Sequence, residues 1–487
     1  MGLPTTAGGN SKEPKVLIFD LFTGMGGCWH ALNSLRIPPG ESSLIKMIMF
    51  ETDEPARALL ATKAKDHPGW IQLSDEPDSS GAKGSVLALA ENDFALLKSI
   101  LDENKTVEHV LFAGGSPCQG FSRASSNPKG VGDERSALIW VFHALPRETA
   151  KHLGNKATVA VVLENVVMYA TEIQNNISKL LGLQPQVANA NLWTACDRDR
   201  NFWSSYPTAP TPRFGSIEPD ISKVLRKGWR PLWELEGSTR RARFSTFLRP
   251  FPPGLPSENV TQFWKFPLHS YTEQGLVYRP DAPPDALEKI RDFVRKTIRM
   301  KDPNLREPGS AGNRARAELC KWIHMDGNSK YLRPLDADER DAALGFPAGA
   351  SSLPSSYTPS PSGVEFDRCC LTGNAWSPPA AAHILGPLAE HVLKNTPLKV
   401  SLGLPEFSSR EATLKLIQPG ADLSRLAKGG GRAVGDRGLP DGRTPADVWA
   451  WSPRRGLPAR DDEHRGADHA LDDSIDFGRH HLFHGNK

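Results

Sequence analysis

The sequence contains few residues of the kinds that cross-link a chain. Its 487 residues include only six cysteines, too few for a disulfide framework in a chain of this length. We therefore expect free thiols and a reducing compartment. No pair of cysteines or histidines has the spacing of a metal site, so we expect no metal.

Long apolar runs are also missing. No stretch approaches the roughly 20 apolar residues that a membrane-spanning helix needs, and the polar, glycine-rich residues 1–14 lack the apolar core of a secretory signal. We therefore expect no membrane contact.

Net charge is small but unevenly distributed. The whole chain carries only +3, whereas residues 207–330 hold 22 Lys or Arg against 14 Asp or Glu. A basic segment in a near-neutral chain is typical of a lobe that binds a polyanion. A solvated surface explains the charge alone equally well.

Apolar runs alternate with helical patterns in the first part of the chain. Residues 16–22, 46–50, 108–113 and 158–163 have the apolar composition of buried strands. Helices are predicted near residues 54–65, 89–104 and 136–152. Apolar strands separated by helices predict an α/β fold, a Rossmann-like, mostly parallel sheet with helices on both faces.

Changes in composition divide the chain into five segments. We predict a disordered N-terminus (1–14), the first part of the α/β core (15–206), a smaller inserted lobe (207–330), a closing part of the core (331–395) and a tail (396–487). The tail is rich in Gly, Pro, Arg and Asp and poor in aliphatic residues, so we predict that it is disordered.

Cys118 lies at the end of a predicted strand. Gly114 and Gly115 break the apolar run, and Pro117 fixes its own φ and keeps Ser116 out of helix. In open α/β sheets, ligands bind beyond the carboxyl ends of the strands. A thiol in such a loop is a candidate nucleophile, although most free cysteines are small apolar fillers.

A glycine-rich turn follows the first predicted strand, in the run Phe22-Thr23-Gly24-Met25-Gly26-Gly27. Glycines let the backbone approach a ligand, and the following helix offers free N–H donors. Glu51 ends the next strand, where its carboxylate can accept both hydroxyls of a ribose. The spacing is not G-x-G-x-x-G, which disfavours a pyrophosphate and favours S-adenosylmethionine over NAD.

Two more polar groups follow predicted strands. Glu164-Asn165 ends one strand as the Cys118 loop ends another, so their side chains can converge above the sheet, although a glutamate there is more often a solvated cap. Further on, Arg198 and Arg200 alternate with acidic residues. Alternation in a strand places both arginines on one face, either for surface ion pairs or for an anionic ligand.

Together these runs resemble the DNA (cytosine-5) methyltransferase family, and especially the catalytic domain of animal de novo DNA methyltransferases. The resemblance extends over roughly residues 15–395, with the Pro-Cys-Gln, Glu-Asn-Val and Arg-x-Arg motifs in the family's order. It implies that Cys118 attacks C6 of a flipped-out cytosine and that Glu164 acts on N3 and the exocyclic amine. Arg200 would reach the cytosine O2, and Arg198 would order the loop.

The resemblance also implies the cofactor site, which would hold S-adenosylmethionine. The implied contacts are Phe22, Thr23, Gly24, Met25, Gly26, Gly27, Glu51, Ser85, Val86, Pro117, Asn374, Ala375 and Trp376. The family usually has an aspartate after the third strand for the adenine amine. Here Ser85 is the nearest match.

Double-stranded DNA is the partner that the resemblance implies, and a protein partner for chromatin targeting stays undetermined. Expected nucleic-acid contacts are Gln119, Ser122, Arg123, Lys129, Arg240, Arg241 and Arg243. Two alternatives stay open, a transfer-RNA cytosine-C5 methyltransferase and a non-catalytic regulator that binds DNA. We expect a nuclear location in a eukaryote, the favoured case, and a cytoplasmic one in a bacterium or virus.

Overall fold

A computed structural model gives the structure of the protein. It describes residues 13–37, 44–122, 129–168, 170–207, 221–236, 244–245, 276–299, 330–360, 363–404 and 410–417. All of these fall within one compact unit, Met1–Gly431, and a second unit, Arg432–Lys487, lies outside the described residues. Arg123, Arg240, Arg241 and Arg243, four of the predicted nucleic-acid contacts, also lie outside them.

A seven-stranded sheet forms the centre of the fold. Its strands are β1 (Val16–Leu21), β2 (Ile45–Phe50), β3 (Ile71–Leu73), β4 (His109–Gly115), β5 (Thr158–Val166), β6 (Pro185–Asn189) and β8 (Asp199–Ser204). The spatial order is β3-β2-β1-β4-β5-β8-β6. The first five strands are parallel, and β8 runs antiparallel to both β5 and β6.

Eleven α-helices lie in the described residues. They are α1 (Gly27–Ser34), α2 (Glu54–Asp66), α3 (Ala95–Glu103), α4 (Glu134–Ala137), α5 (Val141–Leu153), α6 (Thr171–Leu181), α7 (Pro284–Arg299), α8 (Ala337–Leu344), α9 (Val364–Asn374), α10 (Pro378–Lys394) and α11 (Arg410–Ile417). No helix of the described residues is long and apolar enough to cross a membrane.

Side-chain alternation places a hydrophobic core on each face of the sheet. In β1, Leu17 and Phe19 face a cluster that includes residues of α3, α5 and α6. Val16 and Ile18 face the other cluster, with residues of α1, α2 and α10. Because each buried aliphatic or aromatic side chain contributes about 1.5–3 kcal/mol, both faces need helical cover. The predicted Rossmann-like α/β fold is confirmed.

The strand order reverses between β1 and β4. From β1 the chain proceeds outward to β2 and β3, and then returns to add β4 and β5 on the other side. The carboxyl ends of strands on either side of such a reversal form the crevice that binds ligands in open α/β sheets. The glycine-rich turn follows β1 and the Cys118 loop follows β4, so both lie at this crevice.

Two small sheets accompany the main one. Strand β7 (Cys196–Asp197) pairs with β10 (Phe244–Ser245), and β11 (Leu276–Tyr278) lies between β9 (Arg230–Pro231) and β12 (Leu332–Pro334). A third core cluster joins the described parts of the inserted lobe to the core, through Met25, Leu59, Trp233, Val277 and Leu344. Because β12 belongs to the three-stranded sheet, this sheet extends past the predicted lobe boundary at residue 330.

The helix predicted over residues 89–104 is shorter than expected. Asn92, Asp93 and Phe94 have positive φ angles of 49°, 53° and 60°, which a right-handed helix does not accept. The segment therefore divides into two short 3₁₀ turns and α3.

The ordered chain also continues past the predicted tail boundary. The Ser401 N–H donates to Ser205 O at 2.9 Å, and α11 contacts α6. The prediction of disorder is therefore wrong for residues 396–404 and 410–417. Although aliphatic residues are sparse here, Leu402, Leu404, Leu414 and Ile417 all reach the core cluster beneath α6. Residues 418–487 lie outside the described part.

Candidate functional site

The loop that carries Cys118 is held to the end of β5 by a buried amide. Asn165 Nδ2 donates to Ser116 O at 3.1 Å and to Ser116 Oγ at 2.8 Å. Asn165 is almost fully buried, so no water competes for these bonds. The residue next to Glu164 therefore determines where the thiol loop lies.

The other side of the loop is held by Ser136. Its hydroxyl donates to Pro117 O at 3.1 Å and accepts from the Gly120 N–H at 2.8 Å. Asp133 caps α4 and accepts from the Ser136 N–H at 3.4 Å. The backbone on both sides of Cys118 is thus fixed, which positions the thiol without a contact to the thiol itself.

Glu164 lies in the register that brings it beside this loop. It pairs with Gly115 of β4 and with Phe202 of β8, and its side chain is buried. Arg200 Nε lies 2.8 Å from Glu164 Oε1, and the indole nitrogen of Trp376 and Glu164 Oε2 both lie next to Gly115. Burial raises the pKa of Glu164, against the opposing effect of Arg200.

Arg198 lies near Glu164 but bonds elsewhere. It precedes β8 and donates from Nη2 to Ala375 O at 2.8 Å and Gly373 O at 3.2 Å. Its Nε and Nη1 are buried and have no partner among the described residues. Burial and the neighbouring Arg200 lower the pKa of Arg198 to about 10. Arg200 thus contacts the carboxylate, and Arg198 fixes the segment around Asn374.

The Cys118 thiol is half-buried beside these charges. Burial raises its pKa above the usual range of a cysteine, and Arg200 lowers it. A thiol, a carboxyl group and a guanidinium therefore meet at one edge of the sheet. Such a set can add sulfur to an electron-poor carbon, donate a proton and bind a carbonyl oxygen.

The glycine-rich turn and Glu51 are joined directly. Glu51 Oε2 accepts from the Gly24 N–H at 2.7 Å, and Oε1 accepts from the N–H groups of Thr52 and Asp53 at 2.8 and 2.9 Å. A carboxylate has about four acceptor positions, so one more hydrogen bond is available. Burial raises the pKa of Glu51.

Space for a ligand lies above this turn. Gly24 has φ +58°, and apart from its two chain neighbours no described residue has an atom within 4 Å of the position that a Cβ would take. Phe22 is partly buried with its ring 6.2 Å from Phe142. The side chains of Thr23 and Met25 are buried inside the turn, so these two residues offer a ligand only backbone.

Ser85 caps the 3₁₀ turn that Val86 begins. Its hydroxyl accepts from the Leu87 N–H at 3.2 Å and helps to lower the pKa of Asp78. One acceptor lone pair is left, which suffices for an amine. Val86 is buried.

The closing segment follows α9. Asn374 is exposed, whereas Ala375 and Trp376 are buried.

Among the predicted nucleic-acid contacts, Lys129 is exposed and Ser122 forms a β-bridge with Met168. Gln119 Oε1 is buried without a hydrogen-bond partner in the described part of the chain. The described residues contain no cluster of side chains that could hold a metal ion.

Three supporting roles were not expected from the sequence. Asn165 and Ser136 act on the loop, and the indole of Trp376, a residue expected at the cofactor, acts on the carboxylate. The Glu-Asn-Val motif points to Asn165, but no local pattern identifies Ser136, because its partners lie 16 and 19 positions away.

Comparisons with known proteins find similarity to cytosine methylases over part of the chain. A family model described as C-5 cytosine-specific DNA methylase matches residues 87–181, which include Cys118 and Glu164. The Type II methyltransferase M1.ScrFI of Lactococcus lactis subsp. cremoris is 25% identical over 193 residues. That alignment covers 40% of this chain and 39% of the relative.

Among solved structures, the Dnmt2 methyltransferase of S. pombe matches with a TM-score of 0.39 and 14% identity, covering 77% of this chain and 99% of that one. The family model and the bacterial relative show that part of this chain is similar to cytosine-C5 methyltransferases.

Proposed function

We propose that this protein transfers a methyl group from S-adenosylmethionine to C5 of cytosine in DNA. The observation that carries the proposal is the convergence of Cys118, Glu164 and Arg200, with Glu164 held 2.8 Å from the Arg200 guanidinium. These are the groups that activation of a cytosine ring requires.

The residues at the first glycine turn fit S-adenosylmethionine. The open space above Gly24 accepts the backbone-bound end of the ligand, and the remaining acceptor position of Glu51 suits a ribose hydroxyl. The remaining proposed contacts are Phe22, Thr23, Met25, Gly26, Gly27, Ser85, Val86, Pro117, Asn374, Ala375 and Trp376. When bound, the cofactor supplies an electrophilic methyl group.

Cys118 and Glu164 act on different atoms of the base, Cys118 on C6 and Glu164 on N3. The target cytosine is flipped out of the duplex, at a cost of a few kcal/mol. The Cys118 thiolate forms a bond to C6, while Glu164 delivers a proton to N3 and Arg200 binds O2. C5 thereby becomes electron-rich enough to attack the methyl group. Once C5 carries the methyl group, N3 returns its proton to Glu164. C5 then loses its hydrogen as a proton, and the bond between Cys118 Sγ and C6 breaks, which releases the thiolate.

A competition assay tests the substrate. Protein and labelled S-adenosylmethionine are incubated with duplex DNA and total transfer RNA at equal salt. We expect label in DNA, within cytosines that bisulfite sequencing then locates. Label mainly in RNA would support the transfer-RNA alternative, and label in neither would support a non-catalytic regulator.

A trapping experiment tests the covalent step. A duplex with 5-fluorocytosine at the target cannot lose fluorine as a cation, so the adduct should survive denaturing electrophoresis when the cofactor is present. Cys118→Ala should form no adduct. A stable adduct in that variant would overturn the assignment of the nucleophile.

A further inference from the structure

Trp376 links three parts of the site. It stands between α9 and α10 and is buried, with its ring edge-on to Phe202 of β8 at 5.9 Å. Its Cβ also closely approaches Gly27, where a Cβ would lie only 2.8 Å away. The residue therefore touches both the start of α1, next to the glycine turn, and the strand that carries Arg200.

The indole nitrogen of Trp376 and the Glu164 carboxylate both lie next to Gly115. A Cβ on Gly115 would lie 2.7 Å from Trp376 Nε1 and 2.8 Å from Glu164 Oε2, so only glycine leaves room for these two atoms to meet. The Trp376 indole lowers the pKa of the Glu164 carboxyl group. The indole nitrogens of Trp29, Trp70 and Trp140 are buried and have no hydrogen-bond partner among the described residues.

We propose that Trp376 is a positioning residue for Glu164, because its indole N–H orients the carboxyl group that Arg200 also holds. The inference rests on the proposed function, in which Glu164 protonates N3 of cytosine. An acid that is free to rotate would spend little time aimed at N3. A donor fixed by the packing of α1 and β8 limits that rotation and stabilises the carboxylate left after the proton has moved.

The indole acts on acidity as well as on orientation. A hydrogen bond donated to a carboxylate stabilises the charged form, and Trp376 accordingly lowers the pKa of Glu164. Without the N–H, Glu164 becomes a weaker acid that stays protonated to higher pH. The substitution should therefore reduce the rate of proton delivery and move the alkaline limb of the rate profile upward.

The test compares Trp376→Phe, which keeps an aromatic ring, with Trp70→Phe, whose indole is equally buried but unpartnered. In Trp376→Phe we expect kcat to fall about 10-fold, as for removal of one hydrogen bond to a charged group. Cofactor affinity should stay within about twofold of wild type, because phenylalanine keeps an aromatic ring at the expected cofactor contact. The alkaline limb of kcat against pH should move to higher pH. Trp70→Phe should match wild type in all three. An unchanged alkaline limb in Trp376→Phe would overturn the proposal.

A second readout needs no methyl transfer. In protein labelled with ¹⁵N-tryptophan, the indole resonance missing from Trp376→Phe belongs to Trp376. Its shift should titrate with pH in wild type and stay constant in Glu164→Gln and Gly115→Ala, where the acid or the room for the indole N–H is removed. A resonance that titrates alike in all three would overturn the proposal. Titration as expected in a protein that methylates nothing would instead overturn the proposed function alone.

Discussion

Burial and a neighbouring cation act in opposite directions on the two reactive groups. Burial raises the pKa of Cys118 and of Glu164, and Arg200 is the largest influence that lowers both. The raised pKa suits Glu164, which must carry a proton, but not Cys118, whose thiolate is the nucleophile. Arg200 therefore matters most for the thiol, and its removal should raise the pKa of Cys118 further.

Arg200→Ala should move the alkylation midpoint of Cys118 to higher pH. Iodoacetamide reacts with the thiolate, so the rate rises with pH as the thiol ionises. Without the guanidinium, that rise begins at higher pH. Mass spectrometry of the Cys118 peptide over about pH 6 to 10 measures it, with Lys394→Ala as the control for removal of a surface cation. A midpoint that falls or stays would contradict the proposed role of Arg200.

Glu164→Gln and Glu51→Ala should separate chemistry from cofactor binding. Glu164→Gln keeps the size of the side chain but loses its proton, so turnover should fall about 10²- to 10⁴-fold with cofactor affinity nearly unchanged. Glu51→Ala removes an acceptor and the tie to Gly24, so it should mainly weaken cofactor binding. Calorimetry and single-turnover rates measure both. Equal losses of affinity would show that the roles are misassigned.

Apolar composition locates the buried strands but not their direction. Strands β1, β2, β4 and β5 are recognisable because both faces of a parallel sheet are covered. The antiparallel course of β8 follows from how the chain returns after β6, which composition does not record. Likewise, Leu402, Leu404, Leu414 and Ile417 pack on the core although they lie in a polar segment. Composition averaged over the whole tail does not reveal them.

Helix α11 should contribute measurably to stability. Ile417 is fully buried, and large-to-small changes at such positions cost about 2–5 kcal/mol. Ile417→Ala should therefore lower the midpoint of urea unfolding. Val187→Ala is the control, since Val187 is 50% exposed on the edge strand β6 and should cost less than about 0.5 kcal/mol.

Truncation tests the same helix without a core substitution. A chain that ends at residue 404 should unfold at lower urea than one that ends at 420, because only the longer chain covers α6. Equal midpoints would mean that α11 adds nothing to the folded state.

The reactive part of the site is assembled from four segments that are distant in sequence. They carry Cys118, Glu164, Arg200 and Trp376. That Cys118 and Glu164 converge follows from the sequence, since the carboxyl ends of neighbouring parallel strands share one edge of the sheet. The hydrogen bonds of Asn165 and the approach of Trp376 to Glu164 do not, because they depend on how segments 49 to more than 200 residues apart pack. Sequence motifs thus identify the reactive groups, and tertiary packing supplies the parts that aim them.

The uneven charge of the chain leads to a prediction about DNA binding. Residues 207–330 carry an excess of eight positive charges, including the cluster Arg240, Arg241 and Arg243, which lies outside the described residues. If these arginines bind phosphates, neutralising all three should weaken binding to duplexes of any sequence. The slope of log K against log salt should flatten by roughly 0.9 for each phosphate that is no longer neutralised.

A matched control separates local phosphate binding from total charge. Lys98, Lys151 and Lys394 lie on helices of the core, each within 3.3 Å of an acidic side chain. Neutralising these three changes the net charge by the same amount but removes no expected phosphate partner, so the salt slope should stay that of wild type. Titrations of one labelled duplex at several salt concentrations measure all three proteins. Equal flattening in both triple variants would mean that the charge of the whole molecule, and not the inserted lobe, governs DNA binding.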